Sequence, residues 1–348
     1  MREAISFVMS KFIILPKDPL PYKEQILKFW ETYLPGTPPA RFEWMNQGNP
    51  AGPAIWYFAF NRKENELAGM ISVMPREIFL KGQTIKAGVL GDLMVDGKYR
   101  VFGPILDLPK TALSDGSKYG FRFFYTIPNH ASAQIMNRVG FRKLPVLGHF
   151  VKVLRMKSYL EKHITSGLAS LFATPMDLGL RLISKETYIS RQGFFEEVTA
   201  IDESFDDLWM RVTKSTSTPV GDHGSGYLRW KYLQNPTYPC RIISFRRERQ
   251  DYLEGYLVFT LQGQAMEILD LVFGEPEAME KLLKRAIQIG FLGGCKAIYF
   301  MMSSHASLAR EIRRFGFLNG NDDISLLGYR EGIEAMVNWN FMAGDRNL

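Results

Sequence analysis

The sequence repeats itself at low similarity, and this repeat constrains the fold more than any other feature. The matching strings, in chain order, are Phe42-Glu-Trp44 with Leu228-Arg-Trp230, Asn49-Pro50 with Asn235-Pro236, Gly91-Asp-Leu-Met-Val95 with Leu269-Asp-Leu-Val-Phe273, and Gly140-Phe141 with Gly316-Phe317. The separation between partners shrinks along the chain from 186 to 178 to 176 residues, as small deletions in the second copy would produce. A chain of 348 residues with two such copies is predicted to form two domains of the same fold.

Composition narrows the class of protein. With 46% hydrophobic and 23% charged residues the chain is typical of globular proteins and not of disordered ones. The two cysteines, Cys240 and Cys295, are too few for a disulfide framework or a cysteine-rich zinc site. The five histidines lack metal-ligand spacing, so no metal is predicted. The net charge of +7 is spread out, without the compact Lys/Arg block that indicates nucleic-acid binding.

Each copy has the same predicted order of elements. Antiparallel strands lead into a helix, a buried strand and a second helix, which ends at Gly140 or Gly316 because glycine is a common helix-stop residue. The predicted helices lie at 103–118, 129–138, 275–292 and 305–314. The fold class is therefore α/β in the broad sense (α+β), with one mixed-sheet domain at 1–153, a helical connector at 154–190 and a second mixed-sheet domain at 191–348.

The sequence contains little that indicates association with a membrane. No apolar run reaches the roughly 18 residues that a spanning helix needs, and the N-terminus, with Glu3, is not typical of a secretion signal, so we expect a cytoplasmic protein. The connector has apolar residues at helical spacing, among them Leu160, Ile164 and Leu168, surrounded by basic residues. We expect it to pack on both domains; attachment to a membrane surface is the less favoured alternative.

The segment from Gly91 to Leu106 has the pattern of a strand, a turn rich in glycine and arginine, and a helix start. Backbone N–H groups at a helix start are unpaired and point outward, and the helix dipole adds positive charge there. Such a turn can cradle a diphosphate, with Gly103 letting the backbone come close and Arg100 adding charge. A plain tight turn fits the same spacing, so the residues alone leave both readings open.

At these residues the chain resembles the GNAT superfamily of acyl-CoA N-acyltransferases. The family motif Arg/Gln-x-x-Gly-x-Gly/Ala stands here as Arg100-Val-Phe-Gly103-Pro104-Ile105, and the later Asn that opens a helix ending in Gly-Phe stands as Asn129 with Gly140-Phe141. Within the superfamily the chain is most similar to tandem-domain bacterial proteins with Arg-x-x-Gly-Pro and, in the second half, Leu-Arg-Trp-Lys-Tyr. The resemblance covers both halves, so it implies a GNAT-like fold in each.

The resemblance also implies a role for each matching residue. The residues implied to hold acyl-CoA are Leu93, Met94 and Val95 for the pantetheine arm, Arg100, Val101, Phe102, Gly103 and Ile105 for the pyrophosphate, and Asn129 for the pantetheine beside the acceptor. Two positions depart from the family pattern. Pro104 has no N–H to donate, and Ile105 is bulkier than the small residue usual there.

Acyl transfer to an amine needs a base for the ammonium proton and an acid for the departing thiolate. The tyrosine that serves many family members as the acid is replaced by Met136 in the first copy, so Tyr125 and His130 are the candidate substitutes. Each also has a purely structural interpretation: Tyr125 as a core residue, and His130 as a surface or capping residue. Asp92 is the candidate base, and its alternative is a strand-end carboxylate satisfied by backbone donors.

The second copy has no Arg-x-x-Gly turn after Phe273. The residues Glu275, Glu277 and Glu280 stand there instead and would repel a phosphate. The leading hypothesis is an N-acyltransferase that moves an acyl group from acyl-CoA (acetyl-CoA or longer), or from an acyl carrier protein, to a primary amine on a small molecule or peptide. One alternative is a tandem transferase that depends on aminoacyl-tRNA and acts on cell-envelope peptides. The other is a catalytically degenerate binding or scaffold protein.

Overall fold

The computed structural model describes residues 11–99, 103–144, 147–155, 193–304, 307–320, 324–329, 336 and 338–346. Within them the chain forms two mixed β-sheets with helices, which confirms the predicted α+β class with two mixed-sheet halves. Most of the predicted connector lies outside the described residues, as do Arg100, Val101 and Phe102 of the predicted diphosphate turn. In the described part no helix is long and apolar enough to cross a membrane.

The two sheets have matching strand orders. The strands, in chain order, are β1 (Phe12–Pro16), β2 (Ile55–Asn61), β3 (Leu67–Leu80), β4 (Gln83–Val95), β5 (Phe123–Thr126), β6 (Arg142–Lys143), β7 (Leu147–Val153), β8 (Phe194–Glu197), β9 (Val220–Gly221), β10 (Cys240–Arg246), β11 (Gly255–Gln262), β12 (Ala265–Phe273), β13 (Ala297–Ser303), β14 (Leu318–Asn319) and β15 (Leu327–Tyr329). The first sheet runs β1-β2-β3-β4-β5-β15-β6, with β9 paired to β3, and the second runs β8-β10-β11-β12-β13-β7-β14. The β4–β5 and β12–β13 pairs are parallel, and the other pairs are antiparallel.

Helices cover the sheets where the sequence has apolar residues at helical spacing. They are α1 (Lys23–Tyr33), α2 (Arg41–Asn46), α3 (Asp107–Ser114), α4 (His130–Arg138), α5 (Ser204–Ser215), α6 (Ser225–Leu228, continued by a π-turn at Arg229–Leu233), α7 (Pro276–Leu292) and α8 (Ser307–Arg314). Helix α7 starts at a proline, which the first turn tolerates, and buries Ala278, Leu282 and Ala286 on one face. Helices α4 and α8 end just before Gly140 and Gly316, both of which have positive φ, as the sequence predicted.

Three apolar clusters hold these layers together. A central cluster lies between the sheets and includes Trp56 and Met70 from the first sheet with Tyr256 and Leu269 from the second. The other two lie on the outer faces, where α3 and α4 cover the first sheet and α7 and α8 cover the second. Because each sheet is covered on both faces, its strands read as continuous apolar runs rather than as an alternating pattern.

The last strand of each half completes the sheet of the other half. Strand β7 pairs with β13 and β14 in the second sheet, and β15 pairs with β5 and β6 in the first. The division between the sheets therefore does not coincide with the sequence boundaries at 153 and 191. An apolar strand pattern indicates a buried strand but does not indicate which edge it joins, because backbone hydrogen bonds are the same at every edge.

A reciprocal tryptophan pair marks the contact between the repeats. The rings of Trp44 and Trp230 are stacked, with centroids 4.6 Å apart and planes 6° from parallel. The Trp44 indole N–H donates to the Trp230 carbonyl at 2.8 Å, and the Trp230 N–H donates to the Trp44 carbonyl at 2.9 Å. Since these residues match in the two copies, the contact has local two-fold character.

We expect Trp44→Phe and Trp230→Phe each to lower the free energy of unfolding by about 1–3 kcal/mol, because each leaves a buried carbonyl without its donor. The two losses should not add, since both variants disrupt one stacked and hydrogen-bonded pair. Urea denaturation of the two single variants and the double variant measures the coupling. Strictly additive losses would contradict the reciprocal contact.

Candidate functional site

Strands β4 and β5 separate partway along their length. They pair in parallel at Ala87–Val89 with Phe123–Tyr125, and the Thr126 hydroxyl then donates to the Leu90 carbonyl at 3.1 Å. Beyond that point no described segment hydrogen-bonds to the backbone of 91–95 on the side away from β3. The separation leaves a gap along β4 in which backbone groups of Leu93, Met94 and Val95 can bind an extended ligand.

A β-bulge accompanies the separation. The register between β3 and β4 shifts between Met70 and Ser72, and Asp92 on the opposite strand has a φ of 49°. A bulge bends its strand and increases the local twist, so it turns β4 away from β5. Aspartate is among the few residues that adopt this left-handed conformation at low cost, which explains why an Asp stands at the bend.

The Asp92 carboxylate is buried and fully engaged. Arg41 donates from Nη1 to Oδ1 at 2.9 Å and from Nη2 to Oδ2 at 3.4 Å, and the Ser72 hydroxyl donates to Oδ2 at 2.7 Å. The side chain of Asp92 is 1% exposed and that of Arg41 is 7% exposed. The guanidinium also lies 4.8 Å from the centroid of the Trp30 ring. Asp92 is therefore held by side chains, not by the backbone donors that were its alternative partners.

Sequence reasoning identified Asp92 but missed Arg41 and Ser72. Their distances along the chain from Asp92 are 51 and 20 residues, so no local spacing connects them. The burial of all three side chains follows from the packing of α2 against the inner face of the first sheet.

The turn after β4 needs glycine at position 103 for a reason internal to the chain. A Cβ atom placed on Gly103 would lie 1.9 Å from the Tyr99 carbonyl oxygen, so no side chain fits without moving the backbone. Helix α3 begins at Asp107, not at 103 as predicted, and a short 3₁₀ segment, Asp115–Tyr119, follows it. The helix starts later because 103–106 form a turn, and the Pro104 carbonyl accepts from the N–H of Leu108, the second residue of the helix.

Asn129 and His130 lie at the edge of the sheet where the gap opens, since the carboxyl ends of parallel strands share one edge. Asn129 is the N-cap of α4: its Oδ1 accepts from the Ser132 N–H at 2.9 Å and from the Ser132 hydroxyl at 2.8 Å. His130 is the first residue of that helix and is exposed. The structure thus brings Leu93–Val95, Gly103, Asn129 and His130 to one edge.

Tyr125 does not face that edge. Its ring is fully buried against Trp339, 4.8 Å away between centroids, and its hydroxyl donates to the Asp345 carbonyl at 2.8 Å. Burial raises the pKa of Tyr125 well above its ordinary value, which stabilises the neutral phenol. Tyr125 therefore occupies the core position that was its alternative in the sequence. Met136, at the place of the usual family tyrosine, is also buried.

The second sheet carries a related bulge with different partners. Asp270, which matches Asp92 in the repeat, accepts hydrogen bonds from His223 Nε2 and from the Tyr232 hydroxyl, each at 2.8 Å. His223 Nδ1 lies 2.6 Å from the Gly221 carbonyl, so both ring nitrogens face acceptors and the imidazolium form satisfies both. Burial by itself lowers the pKa of His223, but the charge and hydrogen bond of Asp270 outweigh it and raise that pKa.

We expect this buried pair to make stability fall as pH rises above neutrality. A histidine with a raised folded-state pKa stabilises the fold fully below its unfolded pKa of about 6.5, and the stabilisation is lost as pH rises through the folded value. Each unit of raised pKa corresponds to about 1.4 kcal/mol. Urea denaturation from pH 5.5 to 8.5 should show an advantage over His223→Gln that shrinks with pH. A pH-independent difference would contradict the charged pair.

Among the described residues, no group of three or more His, Cys, Asp and Glu side chains could hold a metal ion. The turn that follows β12 differs from its first-half counterpart in charge: Glu275 precedes α7, and Glu277 lies in the first turn of that helix. An acidic helix start disfavours a phosphate ligand. The first sheet therefore carries the candidate site for a cosubstrate.

No protein-family model and no curated protein sequence matches the chain. Solved structures do match it. The GCN5-related N-acetyltransferase of Anabaena variabilis gives a TM-score of 0.64 at 12% identity, covering 91% of this chain and 72% of that one. Eis1 of Mycobacterium abscessus gives a TM-score of 0.57 at 14% identity, covering 91% of this chain and 72% of that one. N-myristoyltransferase of Saccharomyces cerevisiae was solved with bound myristoyl-CoA. It gives a TM-score of 0.59 at 10% identity, covering 92% of this chain and 83% of that one. The chain has the fold of the GCN5-related N-acyltransferases.

Proposed function

We propose that the protein is an N-acyltransferase that uses acyl-CoA and binds it in the gap between β4 and β5 of the first sheet. The observation that carries the proposal is this separation, which leaves the backbone of 91–95 without a second partner strand among the described residues. The matching fold of acetyl- and myristoyltransferases supports a thioester as the ligand. An extended pantetheine arm has amide groups that can hydrogen-bond to such an edge.

The reaction needs only the thioester and a free amine. The amine nitrogen attacks the thioester carbonyl, the C–S bond breaks, and the products are an amide and a thiol once the nitrogen loses a proton and the sulfur gains one. Backbone N–H groups along β4 would polarise the carbonyl. The acceptor is a primary amine on a small molecule or peptide, and the donor thioester is carried by CoA or, as the alternative, by an acyl carrier protein.

Asp92 serves in this proposal as a positioning residue. Because its carboxylate is buried between Arg41 and Ser72, its effect on the reaction passes through the bulge that bends β4. The amine proton would leave to solvent water. Arg41 belongs to the same buried cluster. Both of its terminal nitrogens donate to Asp92, so its charge is already paired there.

His130 is the exposed titratable side chain next to Asn129 at the open edge, and we propose it as the proton donor to the leaving thiolate. We expect His130→Gln to slow thiol release by about 10²-fold or more, the lower end of the usual range for general acids, and to leave the melting temperature unchanged because the side chain is exposed. The matched control is Arg138→Gln, at the other end of α4. Equal rates for wild type and His130→Gln would remove His130 from the mechanism.

A thiol-release assay tests the proposed function. Purified protein is given acetyl-CoA and longer acyl-CoAs in turn, each with a panel of primary amines, and free thiol and amide are both quantified. The expected result is equal release of thiol and amide with at least one pair. CoA binding measured by calorimetry without acceptor tests donor binding separately. Failure to bind any CoA species, together with no thiol release, contradicts the proposal.

A further inference from the structure

Residues 339–346, which we call the C-terminal segment, run alongside β13. Met342 forms an antiparallel bridge with Met302, and the Ser303 N–H donates to the Phe341 carbonyl at 2.9 Å. The Ser303 hydroxyl donates to the Trp339 carbonyl at 2.5 Å and accepts from the Phe341 N–H at 3.1 Å. The segment is therefore bound to the end of β13 through the backbone, as an added strand would be.

The other edge of β13 is already taken. Strand β7 pairs with β13 along its whole length, including Met302 with Gly148 and Ser303 with Leu147. A strand has two edges, so the bridge to Met342 lies on the edge that faces β12. On that edge β12 pairs with β13 only from Ala265 to Ile268. The C-terminal segment thus enters the space where β12 and β13 separate, the counterpart of the gap in the first sheet.

The segment fills this space closely. A Cβ atom placed on Gly344 would lie 2.0 Å from the Tyr232 hydroxyl and 3.1 Å from the Leu269 carbonyl oxygen of β12. The Arg346 guanidinium forms an ion pair of 2.7 Å with Glu267, also on β12. The segment therefore contacts both strands that border the second gap.

Contacts to the first half hold the segment in place. Arg76 on β3 forms an ion pair of 2.8 Å with Asp345, and the two side chains are 3% and 2% exposed. The Tyr125 hydroxyl on β5 donates to the Asp345 carbonyl at 2.8 Å. Within the second half, Lys231 Nζ donates to the Arg346 carbonyl at 2.6 Å. Displacing the segment would leave buried charges unpaired, which costs several kcal/mol in typical cases.

We propose that the C-terminal segment occupies in the second sheet the place that the pantetheine arm takes in the first, so that the chain binds one acyl-CoA and only in its first half. The inference rests on the proposed function for its statement about acyl-CoA. The statement that the chain itself occupies the second gap does not depend on the proposed function. It gives a structural reason, beyond the acidic turn at Glu275, why one copy of the repeat is closed to cosubstrate.

Hydrogen exchange tests whether the segment closes the second gap. In the wild type the Ser303 amide should exchange slowly because it donates to Phe341. Gly344→Val forces a side chain against Tyr232 and Leu269, and we expect the Ser303 amide to exchange at least about tenfold faster, with the amides of β3 unchanged. Gly274→Val is the matched control, since its nearest neighbour for an added Cβ is 3.7 Å away.

If Gly344→Val does not fold, Ser303→Ala is the gentler variant, because it removes the hydroxyl that donates to the Trp339 carbonyl and accepts from the Phe341 N–H. In that variant the Phe341 amide, which loses its acceptor, is the one expected to exchange faster. Unchanged exchange in the variant that folds would overturn the proposal. Native mass spectrometry with acyl-CoA should give one ligand per wild-type chain, and two ligands would also overturn it. Binding of no acyl-CoA would count against the proposed function, and the exchange result would then decide the closure of the gap by itself.

Discussion

Asp92→Asn is expected to lower the free energy of unfolding by about 3–5 kcal/mol, the usual loss when one partner of a buried ion pair is removed. The variant leaves the Arg41 guanidinium buried without its counter-ion, since the side chain of Arg41 is 7% exposed. Asparagine adopts the left-handed conformation of position 92 as readily as aspartate, so backbone strain does not contribute. Urea denaturation at pH 7 measures the loss.

Two controls distinguish the effect of breaking a buried ion pair from the general effect of removing a charge. Glu197→Gln breaks the Arg241–Glu197 pair, whose side chains are 40% and 50% exposed, and should cost less than about 1 kcal/mol. The double variant Arg41→Met with Asp92→Asn removes the unpaired charge and should be more stable than Asp92→Asn alone. A double variant that is no more stable than the single variant contradicts the ion-pair explanation.

The same variant decides between a positioning and a proton-accepting role for Asp92. If the carboxylate only holds the bulge, thiol release per folded molecule should stay within severalfold of wild type across pH 6.5–9.5. A general base would instead give a loss of about 10²–10⁴ that shrinks at high pH, where the amine is already deprotonated. That second result would restore the catalytic role predicted from the sequence.

Gly103→Val is expected to weaken CoA binding by about tenfold or more, the scale of a lost charge-assisted contact. The added Cβ would lie 1.9 Å from the Tyr99 carbonyl oxygen, so the turn must open and its N–H groups must move. The expected damage is local, because the turn lies at the edge of the first sheet and not in the central apolar cluster. Calorimetry with CoA measures the affinity, and thermal melting shows how much of the protein remains folded.

Gly274→Val is the matched control in the other half of the repeat. No atom lies closer than 3.7 Å to a Cβ placed there, so both stability and CoA affinity should stay close to wild type. The opposite pattern, with affinity kept at position 103 and lost at position 274, would assign the cosubstrate to the second half. It would also contradict the closure of the second gap by the C-terminal segment.

The sequence by itself determined the doubled plan and many of its element ends. The repeat predicted two mixed sheets, and Gly140 and Gly316 predicted the ends of α4 and α8. These features are local in the chain: apolar periodicity, the stop residues of helices and short motifs all act within a few turns or strands.

Only the tertiary structure decided the partners of these elements. It paired β7 and β15 with the opposite sheets, joined Asp92 to Arg41 across 51 residues, and brought the C-terminal segment into the second gap. The physical reason is the same in each case. An apolar strand, a buried carboxylate and a free strand edge each require a partner, but their chemistry accepts any partner of the right kind, so the packing of the whole chain selects which one it is.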